Sequence, residues 1–318
     1  MIARALPTLR RHEDAIPVGI VGALALAVLV ATMIVGGTSA DAHQVGVYIR
    51  QAVIVAIAAI GQSIVVIAGG IDMSVGANSQ VAALIAATVL VDHPEVAPFA
   101  IPIALACGVL VGLINGSVIV AGRATPFIVT LGMFAILQGV GLMIATEAIS
   151  GLPTWYFEIY DAEVFGIPIA VFGLVVLVFL AWVLLHRTRL GRAFYAIGGN
   201  AETARLAGIR VNRVTIAAYA ICGLFAALSG LFALSQAQVG AGTIGHNLEF
   251  ASITAVALGG VSLFGGRGYL VGAIAGALLL SFLLNLLGAL GLSAFVQELV
   301  QGAVILAAVA IYKPASHR

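Results

Sequence analysis

The sequence predicts an all-α fold, a polytopic transmembrane bundle of about ten helices. Three observations predict it. The composition is 62% hydrophobic and only 8% charged, against about 25% charged in a soluble domain. Apolar runs of roughly 20 residues recur from end to end, each long enough to cross a ~30 Å hydrocarbon core as a helix. If every run crosses, all of the 14 Lys and Arg residues except Arg50 fall on one side. Lipid offers the backbone no hydrogen-bond partners, so spans must be helices or a closed barrel. Strand-like alternation is absent, which selects helices.

The runs lie at approximately 16–36, 51–68, 75–91, 98–121, 127–146, 166–186, 214–236, 250–263, 269–290 and 294–312. Residues 1–15 read as an N-terminal tail carrying Arg4, Arg10 and Arg11. The first run is longer than the apolar core of a cleavable signal peptide, and no small-residue cleavage site follows it. Arg123 separates the fourth and fifth runs. Arg187, Arg189, Arg192, Arg205, Arg210 and Arg213 separate the sixth and seventh, making 187–213 the longest basic loop. Arg267 separates the eighth and ninth, and Lys313 and Arg318 lie in a C-terminal tail, 313–318. The opposite loops are acidic: Asp41, Asp92, Glu95, Glu147, Glu158, Asp161 and Glu163. The positive-inside rule makes the basic side the cytoplasm. Both tails then lie inside, and 16–312 forms one transmembrane domain in a plasma membrane.

Glycine is abundant, with 38 residues. Helices in lipid associate through close packing of small residues, and Gly108…Gly112 and Gly272…Gly276 have the small-xxx-small spacing for it. Cys107 and Cys222 both fall inside apolar runs and read as small buried side chains.

The only lysine is Lys313, with no glycine-rich loop before it, so a G-x-x-x-x-G-K-[ST] phosphate cradle is excluded. No His/Cys cluster has metal-ligand spacing and no G-x-S-x-G elbow occurs. The expectation is no catalytic residue, no metal and no cofactor. A multi-span chain without chemistry reads as a transporter or channel. If it pumps, the energy comes from an ion gradient or from another subunit.

Three segments say more. In Ala68-Gly-Gly-Ile-Asp-Met-Ser-Val-Gly76, paired glycines break the helix and leave Asp72 and Ser74 at or just below the membrane surface. Two roles fit Asp72: a carboxylate capping the next helix, or a polar group on a solute pathway, where discontinuous helices place such groups. In the basic loop, Asn200 is a good N-cap, Glu202 suits the first turn, Arg205 the last, and Gly208 a left-handed stop. These define a helix of about two turns at 201–207. So short a helix is marginal in water and needs something to hold it, most simply a docked partner protein. In Glu249–Gly268 the apolar stretch is about 14 residues, short for a crossing and suited to a broken segment. Its Gly259-Gly260 and Gly265-Gly266 echo Gly69-Gly70.

Four stretches together, GGIDMSVG at 69–76, PFIVTLG at 126–132, TRLGRAFYAIGGNAETARLAGI at 188–209 and ALGGVSLFGGRGYLVGAIAGALLL at 257–280, resemble the permease subunits of ribose-type monosaccharide ABC importers. The resemblance runs from about 45 to 312. It implies a type II ABC importer-like permease that passes a pentose or hexose delivered by an extracytoplasmic sugar-binding protein. It implies a second permease copy, as a homodimer or paralogous heterodimer, and cytoplasmic ABC ATPase subunits that hydrolyse the ATP. It also implies that the 201–207 helix, with Gly199, Asn200, Glu202, Arg205 and Gly208, is the coupling helix that docks on the ATPase. Membrane lipid is the remaining partner, with no nucleic acid. A permease for a nucleoside or branched-chain amino acid, or an ion-coupled carrier, are the competing readings.

A sugar pathway calls for neutral hydrogen-bonding groups, because an amide donates and accepts and avoids the cost of a bare charge in lipid. The candidates are Gln62, Asn78, Gln80, Asn115, Asn285, Gln297 and Gln301, beside Asp72 and Ser74. The bland alternative for each amide is interhelical glue.

Overall fold

A computed structural model describes residues 6–36 and 42–311. The chain forms α1 (Leu6–Val35), α2 (Ala42–Ile67), α3 (Val75–Asp92), a 3-10 turn (Pro94–Phe99), α4 (Ala100–Gly122) and α5 (Pro126–Ile144). Then come α6 (Thr154–Asp161), a two-stranded hairpin of β1 (Glu163–Val164) and β2 (Ile167–Pro168), α7 (Ile169–Arg187), α8 (Arg189–Gly199) and α9 (Ala201–Leu206). The last helices are α10 (Val211–Ala237), α11 (Leu248–Leu258), α12 (Leu270–Ala289) and α13 (Ala294–Ile311).

Among the described residues, 8 helices are long and apolar enough to cross a membrane: α1 to α5, with the 3-10 turn extending α4, then α7, α10 and α12. The apolar parts of α11 and α13 are shorter. At 11 residues and about 1.5 Å per residue, α11 reaches only part-way across, as its short apolar run anticipates. Arg4, Asp41, Lys313, Arg318 and the 313–318 tail lie outside the described residues. Two expectations change. Helix α1 begins at Leu6, so much of the expected 1–15 tail is helical. The basic loop is two helices rather than a loop with one short helix.

The packing is an inverted repeat. Helix α2 packs on α10, α11 and α12, and α10 packs on α2, α3 and α4. Helix α3 packs on α4 and α5, and α11 on α12 and α13. Exchanging α2–α5 with α10–α13 therefore preserves the pattern of neighbours. The exchanged elements run in opposite directions. Ser229 Oγ of α10 donates to Ile54 O near the start of α2 at 2.8 Å, whereas Gly61, further along α2, faces Cys222, earlier on α10. Inverted repeats of this kind place broken helices at corresponding positions in the two halves.

Small residues set the helix separations. A Cβ on Gly112 would run into the Tyr219 carbonyl, and one on Gly116 would come within 2.7 Å of Ile216 Cα. A Cβ on Gly272 would meet Gly259 O, and one on Gly276 would meet Ala255 O. Both small-xxx-small stripes are thus true contact seams, α4 on α10 and α12 on α11. The apolar faces of α5 and α7 are largely exposed, as lipid-facing surfaces are.

Gly112→Ala should lower the melting temperature in detergent, since overpacking a tight seam costs about 1–3 kcal/mol. Gly132→Ala on α5, where nothing lies within 4 Å, should leave it unchanged or raise it, because alanine is the better helix former. Fluorescence-monitored melting of both variants checks this; equal shifts would overturn the seam.

Candidate functional site

The break between α2 and α3 is held by a buried polar knot. Helix α2 ends in a left-handed turn, with Gly69 at φ +87 and Gly70 N–H bonded back to Val65 O at 2.9 Å. Asp72 then accepts from Ser74 N–H at 2.8 Å and from Ser74 Oγ–H at 2.6 Å. Asn115 of α4 donates to Ser74 Oγ at 2.9 Å. Thr130 of α5 accepts from Met73 N–H at 3.0 Å, and the Tyr219 hydroxyl of α10 donates to Ile71 O at 3.4 Å. The Gln62 amide, oriented to satisfy its neighbours, donates to Asp72 O at 3.2 Å and accepts from Asp72 N–H at 3.3 Å. Asp72 therefore does not cap α3 directly. Ser74 is the N-cap residue, and Asp72 fixes the tight turn that presents it.

The other amides divide. Asn78 sits where α3, α4 and α10 meet, donating to Gly108 O at 3.3 Å and Gly223 O at 3.4 Å. Gln80 is buried against Gly141 of α5, and Gln301 is buried on α13. Asn285 and Gln297 instead line a cavity of about 540 Å³ between α2, α12 and α13, together with Tyr48, Gln51 and Ser281. Glu298 lies in the first turns of α13 and accepts from Asn247 Nδ2 at 3.0 Å.

The α8–α9 hairpin closes the Arg-rich face. Thr188 caps α8, accepting from Gly191 N–H at 3.0 Å, and Phe194 and Ile197 bury its inner side. Asn200 caps α9, accepting from Thr203 N–H at 2.9 Å. Gly208 takes φ +83, and Ile209 N–H returns to Ala204 O at 3.0 Å, so the cap and stop stand where the sequence places them. Only Ala204 of α9 is buried; Glu202 and Arg205 form an exposed pair at 2.9 Å, and Leu206 is 82% exposed.

Behind this hairpin three glycine pairs meet at backbone distance. Gly266 N–H donates to Ile67 O at 2.9 Å. A Cβ on Gly198 would run into Ile67 O; one on Gly265 would lie 2.8 Å from Gly198 O and 2.9 Å from Gly69 Cα; one on Gly266 would lie 2.7 Å from Gly199 Cα. Tyr195 of α8 donates to Gly268 O at 3.0 Å. Its burial, with Tyr269 nearby, pushes its pKa up to about 12, so it remains a neutral donor at physiological pH. The hairpin is thereby tied to the breaks in both halves of the repeat.

Residues 45–309 match the family model described as "Branched-chain amino acid transport system / permease component". The chain is similar to the ribose import permease protein RbsC of Escherichia coli (strain K12), 39% identical over 274 residues, covering 83% of each chain. It is 38% identical over 264 residues to RbsC of Bacillus subtilis (strain 168), covering 82% of each. It is 33% identical over 297 residues to the fructose import permease protein FrcC of Rhizobium meliloti, covering 91% of this chain and 82% of that protein. The chain belongs to this permease family. No solved structure matches it.

In this permease the residues that sequence reading missed were marked by visible signals. Leu190, Phe194 and Ile197 have the spacing of an amphipathic helix, which locates α8 and so Tyr195. Gly198 stands in a fourth glycine pair beside the three already singled out. Tyr48 and Gln51, one turn apart on α2, carried no signal until α12 was seen to pack opposite them.

Asp72→Asn keeps an acceptor for Ser74 and should retain transport at near wild-type expression. Asp72→Ala should lose about 1 kcal/mol of local stability, as removal of a comparable cap does, with poor transport. Uptake at equal expression decides; equal inactivity of both would make the charge itself the requirement. Gly198→Ala should leave membrane insertion intact but loosen the hairpin, read as faster proteolysis of 187–213. Unchanged proteolysis would show that the junction tolerates a methyl group.

Proposed function

We propose that this chain is the membrane-spanning subunit of an ATP-driven importer for an uncharged monosaccharide, a pentose or hexose. The reading places it in a bacterial inner membrane, with the Arg-rich face and both termini in the cytoplasm. The observation that carries it is the α8–α9 hairpin: a capped short helix, exposed at its tip, fused through glycine backbone to the breaks of both halves. Apart from the buried Ala204 this helix faces outwards, and its exposed Glu202, Arg205 and Leu206 suit docking in a groove of a separate ATPase. The absence of a phosphate-binding loop from the sequence fits that division of labour.

A sugar-binding protein on the opposite face and a second permease copy complete the assembly. The monosaccharide rests on the curated relatives, which import ribose or fructose by name, although the family model carries an amino-acid description. The pathway is lined by neutral amides. Asn285 and Gln297 remain its best members, because the other amides are engaged in the knot or packed between helices. The direct test is radiolabelled uptake into proteoliposomes holding the permease and its ATPase, with ATP inside and the binding protein outside. Uptake of ribose, fructose or galactose supports the reading, and uptake of leucine instead overturns it.

Glu202→Arg and Arg205→Glu should each reduce co-purification of the ATPase severalfold while the permease still inserts. Each single change also creates a like-charged i,i+3 pair costing about 0.2–0.5 kcal/mol. The double exchange restores the pair. If docking reads side-chain identity at the tip, the double variant remains defective; recovery to wild-type yield would mean that helix stability alone was at stake.

A further inference from the structure

The cavity between α2, α12 and α13 differs in kind from the buried knot. Its polar side chains keep hydrogen-bonding capacity unspent. Asn285 Nδ2 donates to Ser281 O at 2.9 Å, leaving its side-chain oxygen for another donor. Gln297 Nε2 donates to Leu292 O at 3.2 Å, leaving its oxygen likewise. The Ser281 hydroxyl is buried and has no hydrogen-bond partner. Tyr48 and Gln51 line the same cavity from α2. The remaining lining is apolar, and the volume of about 540 Å³ lies within the range of about 300–1,000 Å³ usual for small-ligand sites.

Among the described residues, no Asp, Glu, Lys, Arg or His lines it. A zwitterionic amino acid needs a counter-charge for each end, since burying an unpaired charge is costly. A phosphorylated sugar needs a cation. A polyol needs neither: each hydroxyl donates and accepts, matching hydroxyl and amide groups that do the same. The Tyr48 ring adds a flat apolar surface of the kind that pairs with the C–H face of a sugar. The cavity also has a defined depth. Tyr48 and Gln51 lie towards the start of α2, and Ser281 and Asn285 in the second half of α12. The glycine junction touches the opposite ends of both helices, at Ile67 and Gly268.

We propose that this cavity is a monosaccharide subsite built within a single protomer, in the half of the membrane away from the Arg-rich face, and that its uncharged lining selects neutral sugars against amino acids. The proposal rests on the monosaccharide reading above.

The test places a cysteine at Val55 or at Ala289, which line the cavity without supplying a polar side chain. Reconstituted Val55→Cys and Ala289→Cys are reacted with a membrane-impermeant maleimide, with the unmodified chain as background for Cys107 and Cys222. D-ribose, D-fructose and D-galactose are added in turn at millimolar concentration, and L-leucine in a parallel series. At least one sugar should slow labelling at both positions by threefold or more, with no slowing by leucine. Phe165→Cys, in the β1–β2 turn and 98% exposed, should label at the same rate throughout. Gln51→Leu in the Val55→Cys background should abolish the protection.

Two cysteine positions on different helices guard against one variant misfolding. No protection by any sugar, equal protection by leucine, or equal slowing at Phe165→Cys each overturns the subsite. Uptake by the wild-type complex separates the levels. Sugar import with unprotected cysteines sinks the subsite alone, whereas import of none of the three sugars sinks the monosaccharide reading beneath it.

Discussion

A helix interrupted inside a bilayer must find partners for the backbone groups it frees, and the segment 68–74 is where this permease meets that demand. In hydrocarbon each unmet amide or carbonyl costs several kcal/mol. The residues that meet it come from α2, α5 and α10, with Gln62 on the Asp72 backbone, Thr130 on Met73 N–H and Tyr219 on Ile71 O, while Asn115 of α4 holds the Ser74 hydroxyl. Gln62, Thr130 and Tyr219, polar side chains inside otherwise apolar spans, are thus explained by a backbone break. Because the knot draws on four spans, the position of α3 is set by all of them together, and the sharp turn at Asp72 is the point they share.

The same economy governs the Arg-rich face, with glycine in place of side chains. Where Gly69, Gly198 and Gly265 meet, there is no room for a Cβ at Gly198 or Gly265, and a hydrogen bond runs directly between Gly266 and Ile67. Backbone against backbone has little compliance, since no flexible side chain lies between to absorb a displacement. A push on α9 from a docked ATPase would reach the ends of both halves of the repeat without passing through the lipid-facing helices. This gives the proposed coupling a physical route, and it gives the exposed tip of α9 a reason to be held so firmly at its base.

Much of this was legible in the sequence because the bilayer reduces the problem to one dimension. Span length, charge sidedness and glycine pairs are local properties, so most spans, the cap at Asn200, the stop at Gly208 and the break at 69–74 could all be placed. The failures have one cause, which is that partners distant in the chain were invisible. Gln62, Asn78 and Asn115 look the same in sequence as Asn285 and Gln297, yet Asn115 reaches Ser74 across a separation of 41 residues while Asn285 faces a cavity. The inverted repeat was not legible at all: the paired glycines at 69–70 and 265–266 lie in connections that the repeat does not relate, and they resemble each other because they meet at one junction.

The two breaks that meet at the glycine junction are held differently, and this bears on how the protein could move. The first is pinned from within the membrane, by side chains of surrounding spans. The second, 259–269, is held mainly through backbone: Ser262 N–H to Arg267 O at 3.0 Å, Gly266 N–H to Ile67 O at 2.9 Å, and Tyr195 to Gly268 O at 3.0 Å. The last of these comes from α8 itself. A shift of the hairpin therefore strains the second break through its own contacts, while the knot resists any shift of the first. Helix α11 is short and ends at that second break, and α12 leaves it to carry Ser281 and Asn285 to the far side of the membrane. The path from the proposed docking face to the proposed sugar cavity thus runs along one helix, α12, whose start is tied to the hairpin and whose second half lines the cavity.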